Sequence, residues 1–267
     1  MKIYSSLIRS SLLFFLSLCT GVLLHCIVHE LGHAIAIWIQ GGSMTGFYFH
    51  PFNGGLNSST YVDNHSLLYA GGAFIGLPLT IIFMLIALRY RSPVMFPFIV
   101  TGSYGFLHTG IWMIRSLVNP EIATDYTYMI ELGSSELLMV VLGVSFILFG
   151  IISRVFFLPL AGIDVSVVLK YRLLIYTIGI IPWYVLHSLY NIVFFKSGFT
   201  IFLILIIPEF IYIIIETTLS VPLQKRIRVF QSIRAKEISI CHFIIIIFII
   251  LLLYTSVFIV NSEFGVK

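Results

Sequence analysis

Apolar residues fill seven long runs along the chain, and short polar segments separate these runs. Each run has enough residues to cross a hydrocarbon core of about 30 Å as an α-helix. The runs fall at about 10–39, 66–88, 94–114, 137–158, 172–195, 199–220 and 239–260. The pattern therefore predicts an all-α, polytopic membrane protein with about seven transmembrane helices.

The segment between the first two runs, residues 40–65, has a different pattern. Aromatic and β-branched residues flank Asn53-Gly54, a pair that favours a tight turn between two strands. We expect a short β-hairpin here. Its edge strand would pair with an extended peptide in one interpretation, and the loop would lie on the bilayer surface in the other.

The basic residues predict how the helices are oriented. With the N-terminus inside, twelve of the 15 Lys and Arg residues fall on the inner side and three on the outer side. The inner positions are Lys2, Arg9, Arg89, Arg91, Arg154, Lys170, Arg172, Lys225, Arg226, Arg228, Arg234 and Lys236, and the outer ones are Arg115, Lys196 and Lys267. We therefore expect a multi-pass protein of the cell membrane with a cytoplasmic N-terminus.

Composition supports the membrane interpretation and narrows the choice of partners. The chain is 59% hydrophobic and 10% charged, with a mean hydropathy of +1.07, which excludes an ordinary soluble domain. The net charge of +4 is small, and no basic stripe with interleaved aromatic residues is present. The lipid bilayer is thus an expected partner, and nucleic acid is not.

The first apolar run contains the sequence His29-Glu30-Leu31-Gly32-His33. Histidines four positions apart lie on one helix face, about 6 Å apart along the axis, so both can reach one Zn²⁺ ion. Glu30 lies beside them, placed to act as general base on a water molecule. Ionisable groups are unfavourable inside a bilayer, so this cluster predicts a metal site.

A catalytic zinc site takes a third protein ligand and leaves a fourth position open. The residues on the same predicted side of the membrane are Asp125, His108, Glu121, Glu131, Asp63, His50 and His65. Asp164 falls on the opposite side and is disfavoured. His25 precedes His29 by one turn, but a single ion cannot bind His25, His29 and His33 together, because the outer two are about 12 Å apart along the axis. We expect His25 to be hydrogen-bonded beside the site.

Three features resemble the site-2 protease family of intramembrane zinc metalloproteases. They are the H-E-x-x-H motif in a first core helix, Gly41-Gly42 after that helix, and the stretch Ala70-Gly71-Gly72-Ala73-Phe74-Ile75-Gly76 in the second helix. The family's third ligand is an Asp near the third core helix, often in an Asn/Pro-containing motif ending in Asp-Gly. Asn119, Pro120 and Asp125 resemble that motif, with shorter spacing and no Gly after Asp125.

This resemblance covers roughly residues 10–158 and implies that His29, His33 and Asp125 hold zinc, with His108 as the alternative third ligand. It implies an intramembrane metalloprotease that hydrolyses membrane-protein or peptide substrates, with Glu30 as the catalytic base. Residues 1–158 would form the protease core of about four helices, and residues 159–267 an additional three-helix bundle. The sequence indicates no particular oligomeric state.

Two functions of other classes remain open at this point. One is a catalytically silent protein that binds or chaperones membrane proteins while keeping the motif. The other is an ion or solute transporter in which Glu209 and Glu216, on one face of the sixth run, line a path together with the motif residues.

Overall fold

The long apolar runs fold into helices whose ends lie in glycine-containing or polar segments. The computed structural model describes residues 2–50, 54–59, 64–119, 124–163, 167–195, 213–215, 218, 222 and 238–264. Along these residues the elements are α1 (Lys2–Ile39), β1 (Met44–His50), β2 (Gly54–Ser59), α2 (His65–Phe74), α3 (Gly76–Tyr90), a 3₁₀ turn (Pro93–Met95), α4 (Phe96–Val118), α5 (Asp125–Glu131), α6 (Glu136–Phe157), a second 3₁₀ turn (Leu158–Ala161), α7 (Leu169–Phe195) and α8 (Ile240–Phe264).

Five segments in this part of the chain are long and apolar enough to cross a membrane. They are Ser6–Ile39, His65–Tyr90, Pro93–Val118, Glu136–Ala161 and Ile240–Phe258. The prediction of long membrane-compatible helices is confirmed for these five runs. The predicted run 172–195 lies within α7, a helix of 27 residues. The run 199–220, with Glu209 and Glu216, lies outside the described residues except for 213–215 and 218.

Helix α1 ends in a glycine-dependent cap. Gly41 has a φ of +77°, in the left-handed region that a side chain disfavours. The Gly42 N–H donates to the Ile37 carbonyl and the Gly41 N–H to the Trp38 carbonyl, both at about 3 Å. This pattern is a Schellman motif, which satisfies the last carbonyls of the helix. Gly41-Gly42 thus ends α1 two turns after the H-E-x-x-H motif.

One side chain joins the end of α1 to the start of α2. The Gln40 amide nitrogen donates to the Ala36 carbonyl at 3.0 Å, and its oxygen accepts from the Asn64 N–H at 2.6 Å. Asn64 caps α2, since its side-chain oxygen accepts from the Leu67 N–H at 3.0 Å. These bonds start α2 beside the outer turns of α1.

The second span is interrupted between α2 and α3 at Ile75. Pro78 follows by three residues, has no N–H to donate, and crowds the carbonyl of Phe74 one turn earlier. The interruption therefore has a local cause in the sequence, and it separates a short helix near the motif from a longer one that continues across the bundle.

Strands β1 and β2 pair antiparallel between α1 and α2. Met44 lies opposite Ser59 and His50 opposite Gly54, with an irregularity between Met44 and Gly46. Residues 51–53, including the Asn53 of the predicted turn, lie outside the described residues.

Helix α1 lies at the centre and contacts the helices on several sides. Its antiparallel neighbour is the second span, because Gly32 meets Gly71 and Val28 meets Gly76. Helix α4 runs parallel to α1, with Gly21 against Val100 and Thr101. Phe14 packs edge-on against Tyr176 of α7 at 5.3 Å between ring centroids. Small residues at these contacts let the backbones approach closely, as in other membrane helix pairs.

Helix α6 packs antiparallel against α4 through glycines. A Cβ at Gly110 would meet the Gly143 carbonyl at 2.5 Å and Ile147 Cγ1 at 2.8 Å, so neither glycine tolerates a side chain without movement. The other faces of α6 and α8 expose large apolar side chains: Val140, Val141, Val144, Leu148, Ile152, Ile244, Phe248, Leu251 and Leu252. Such a continuous apolar exterior suits contact with lipid tails rather than water.

We expect Gly110→Leu to lower the stability of the bundle by about 1–3 kcal/mol, because the side chain would force α4 and α6 apart. Ser145→Leu is the matched control, since Ser145 is exposed on α6. Unfolding by SDS in mixed micelles, followed by tryptophan fluorescence, measures the difference. Equal unfolding midpoints for the two variants would contradict the close α4–α6 contact.

Candidate metal centre

His29 and His33 lie one turn apart on α1 and turn the same ring nitrogen toward each other. Their Nε2 atoms are 3.2 Å apart. Two nitrogen lone pairs at this distance repel each other unless a proton or a cation lies between them. The helix therefore presents a pair of nitrogen ligands to one point, as the i, i+4 spacing predicts.

Asp125, at the start of α5, reaches the same point from 96 residues further along the chain. Its Oδ2 atom is 3.2 Å from His29 Nε2 and 3.2 Å from His33 Nε2. The three atoms thus form a triangle with equal sides. Ligands of a tetrahedral zinc ion at ordinary bond lengths are separated by about 3.3 Å. The triangle consequently has the dimensions of three corners of a zinc coordination shell.

The orientation of His33 is fixed by the backbone of α2. Its Nδ1 atom lies 2.8 Å from the Leu68 carbonyl oxygen, which can only accept, so Nδ1 carries the proton and donates. When the ring is neutral the lone pair is on Nε2, which faces Asp125 and His29; when the ring is protonated, Nε2–H donates to the Asp125 carboxylate instead. A hydrogen bond of this kind at the far nitrogen is typical of metal-binding histidines.

Asp125 is held by the cap of its own helix. Thr124 caps α5, with its hydroxyl oxygen accepting from the Thr127 N–H at 3.1 Å. The Thr124 hydroxyl is also 2.6 Å from that of Ser116 on α4. These bonds join the start of α5 to the end of α4, so the position of the Asp125 carboxylate depends on both helices.

The two imidazoles also determine the charge of Asp125. Burial acts to raise the pKa of this carboxyl group, but hydrogen bonding and charge from His29 and His33 outweigh burial and hold the pKa well below its usual range. The carboxylate is therefore ionised at neutral pH, as a metal ligand must be.

Gly72 of α2 lies directly beneath the triangle. A Cβ at this position would lie 2.6 Å from both His29 Nε2 and His33 Nε2. Gly71 meets α1 in the same way, since a Cβ there would lie 2.7 Å from the Gly32 carbonyl oxygen. The small residues of α2 thus leave room for the imidazoles and for an ion between them.

Glu30 lies beside the histidines and is buried, with 6% of its surface exposed. Its carboxylate and the two imidazoles offer ligand atoms that all lie within 4.8 Å of one another. At this separation the carboxylate is close enough to accept a hydrogen bond from a water molecule on an ion that the three ligand atoms would bind.

His108, the alternative third ligand, occupies a different part of the site. The Trp112 Nε1–H donates to its Nε2 at 2.7 Å, and its Nδ1 is 3.4 Å from His25 Nε2. Both ring nitrogens are therefore engaged away from the triangle. The predicted placement of His25 as a hydrogen-bonded residue beside the site agrees with this contact.

The remaining candidate ligands do not join the triangle among the residues that the structure describes. His65 and Glu131 are exposed at the start of α2 and the end of α5. Asp63, Glu121 and Asp164 lie outside the described residues, as does the side chain of His50.

Several supporting groups could not be assigned from the sequence. The Leu68 carbonyl leaves no trace in residue type, and Trp112 has one signal, its i, i+4 spacing from His108. Thr124 has a clearer signal, because a Thr directly before a short helix is a common N-cap. The role of Gly72 depends on a glycine pair that also suits ordinary helix packing.

The site brings together two nitrogens and one oxygen, a donor set that suits a divalent cation, with an acidic side chain nearby. Comparison of the chain with known protein families, curated proteins and solved structures gave no match. The function is therefore inferred from the residues of the site.

We expect Gly72→Ala to weaken divalent metal binding at least tenfold, because its methyl group would press on both Nε2 atoms. Gly102→Ala is the matched control, since a Cβ there meets the flexible end of Met84 in another helix contact. Titration of the purified protein with zinc against a fluorescent chelator compares them. Equal zinc affinities of the two variants would show that Gly72 does not form a wall of the site.

Proposed function

We propose that this protein is an intramembrane zinc metalloprotease that hydrolyses peptide bonds of membrane-associated proteins. The observation that carries the proposal is the triangle of His29, His33 and Asp125, with each pair of coordinating atoms 3.2 Å apart. The buried Glu30 lies next to it, within a bundle whose helices are apolar enough to span a bilayer.

The set of donor atoms favours zinc over other common cations. Two imidazole nitrogens and one carboxylate oxygen are a frequent ligand set of catalytic zinc, with the fourth position left for water or substrate. Magnesium and calcium prefer sites made of oxygen atoms. The hydrogen bond from His33 Nδ1 to Leu68 and the space above Gly72 both fit a metal-binding role.

Zinc would supply Lewis acidity, which makes a water molecule nucleophilic at neutral pH and polarises the scissile carbonyl. The proton transfers are carried out by a side chain of the protein. Glu30 accepts the proton of the attacking water and then donates it to the nitrogen of the leaving amine, which prevents the reverse reaction. His29, His33 and Asp125 would bind the zinc ion, and the surrounding apolar helices limit the access of bulk water.

The topology supports cleavage close to one membrane surface. The motif lies in the last turns of α1, and Asp125 follows α4 at the same end of the bundle. By the distribution of basic residues this end faces outward from a cell membrane, with the N-terminus in the cytoplasm. A helical substrate must unwind there, because its carbonyls are otherwise hydrogen-bonded within the helix.

The proposed order of seven spans fits the observed directions. Tyr176 of α7 packs on Phe14 of α1, and Trp183, later in α7, packs on Tyr104, which lies beside His25, later in α1. Helix α7 therefore runs the same way as α1. Helix α8 also runs with α1, since Arg9 donates to the Ile238 carbonyl and Leu23 packs with Val257. All proposed site residues lie within 1–158, the proposed protease core, and residues 159–267 would add a bundle against α1.

We expect Glu30→Gln to lower proteolysis by about 10²–10⁴-fold while leaving zinc bound, because the amide cannot accept the proton of water. Glu131→Gln, at an exposed position on α5, is the control. Mass spectrometry of new N-termini in membranes of cells that express each form measures the activity. Peptides cut equally by wild type and Glu30→Gln would disprove the assignment of the base.

We expect one zinc ion per chain in the wild type and in His108→Ala, and almost none in Asp125→Ala. The reason is that Asp125 closes the triangle, whereas both nitrogens of His108 are engaged elsewhere. Inductively coupled plasma mass spectrometry on protein purified without chelators gives the ratio. Loss of zinc from His108→Ala together with retention in Asp125→Ala would reverse the choice of third ligand.

A further inference from the structure

A second polar cluster lies beside the metal centre, formed by Trp112, His108 and His25. Trp112 Nε1–H donates to His108 Nε2 at 2.7 Å, and His108 Nδ1 lies 3.4 Å from His25 Nε2. The guanidinium of Arg115 lies 4.5 Å above the indole ring and helps to hold it. The cluster thus connects the outer part of α4 with the interior of α1.

The hydrogen bonds of this cluster have one direction. Indole N–H can only donate, so His108 Nε2 must accept, and the proton of neutral His108 is then on Nδ1. His108 Nδ1–H in turn donates to His25 Nε2, which leaves the proton of His25 on its own Nδ1. Trp112 therefore fixes the tautomers of both histidines, and His25 presents a buried N–H donor.

His29 has a buried ring nitrogen, Nδ1, that matches the Nδ1–H of His25. His25 is 3% exposed, and its ring centroid is 5.8 Å from that of His29. Neither His25 Nδ1 nor His29 Nδ1 has a hydrogen-bond partner among the described residues. If His29 binds metal through Nε2, its Nδ1 carries a proton as well, so two buried donors lie on adjacent turns of α1.

Buried donors of this kind are usually satisfied by an ordered water molecule. Gly105 of α4 packs closely against one of them, since a Cβ there would lie 2.8 Å from His25 Nδ1, so a larger residue would press on this nitrogen. A water oxygen has two lone pairs and can accept from two N–H groups at once. Metal-binding histidines are normally oriented through such a contact at the nitrogen that does not face the metal.

We propose that His25 is a positioning residue of the metal centre: Trp112 and His108 fix it as an Nδ1–H donor, and it shares a buried water molecule with His29 Nδ1. The water then holds the His29 ring so that Nε2 faces Asp125 and His33. This inference rests on the proposed zinc site, while the tautomers of His25 and His108 do not depend on metal.

Two substitutions at position 25 separate positioning from packing. Asn places its amide near the position of Nδ1, and Gln places its amide near that of Nε2. We expect His25→Asn to keep zinc affinity within about threefold of wild type and His25→Gln to lose about tenfold. Trp112→Phe should lose affinity in the same direction, whereas Trp38→Phe, at an exposed position, should not.

The measurements use the full-length protein in lipid nanodiscs, with zinc itself as the probe in competition with a fluorescent chelator. Nitrogen-15 NMR of histidine-labelled protein, assigned with the His25 and His108 variants, should show protonated Nδ1 and unprotonated Nε2 at both residues. In Trp112→Phe the signals of His108 should shift toward a mixture of tautomers.

Equal zinc affinity of His25→Asn and His25→Gln would overturn the inference, as would the opposite tautomer at His25. Two zinc ions in the wild type, one of them lost with His25, would also overturn it by making His25 a ligand. If the wild type binds no zinc but shows the expected tautomers, the proposed metalloprotease fails while the fixed donor at His25 stands.

Discussion

Three coordinating atoms held 3.2 Å from one another are the constraint on which the rest of this structure depends. Two imidazole nitrogens and a carboxylate oxygen at this distance need a proton or a cation between them, and the packing around the site holds the three groups in place. That packing comes from three helices. Leu68 of α2 fixes His33, the Thr124 cap and Ser116 fix Asp125, and Gly72 leaves the space between them.

The helical bundle allows such a polar site to exist in an apolar environment. Backbone hydrogen bonds are satisfied within the helices, so the remaining polar side chains can be gathered at a few points on α1 and α4. Glycines at 32, 71 and 72 bring α2 against the motif, and glycines at 110 and 143 do the same for α4 and α6. Close approach of backbones therefore serves both stability and the geometry of the site.

The polar groups form two adjoining layers with different chemistry. The first contains the proposed metal ligands and Glu30, and the negative charge of its carboxylates favours a cation. The second contains His25, His108 and Trp112, where neutral rings are joined by directional hydrogen bonds. Trp112 cannot release its proton, so this layer is suited to orienting side chains rather than to carrying protons.

The sequence alone determined the membrane-compatible helices and the pair of histidines on one face of α1, because both follow from periodicity and from residues adjacent in the chain. The pairing of Asp125 with His29 and His33 was decided by tertiary structure, since seven residues were candidates by charge and side alone. The position of Asp125 depends on the Thr124 helix cap and on the hydroxyl contact between Thr124 and Ser116. The partner of His33 Nδ1 is a backbone carbonyl, and that of His108 is an indole, both brought near by packing. Interactions of this kind join positions far apart in the chain, and no local pattern of residue types encodes them.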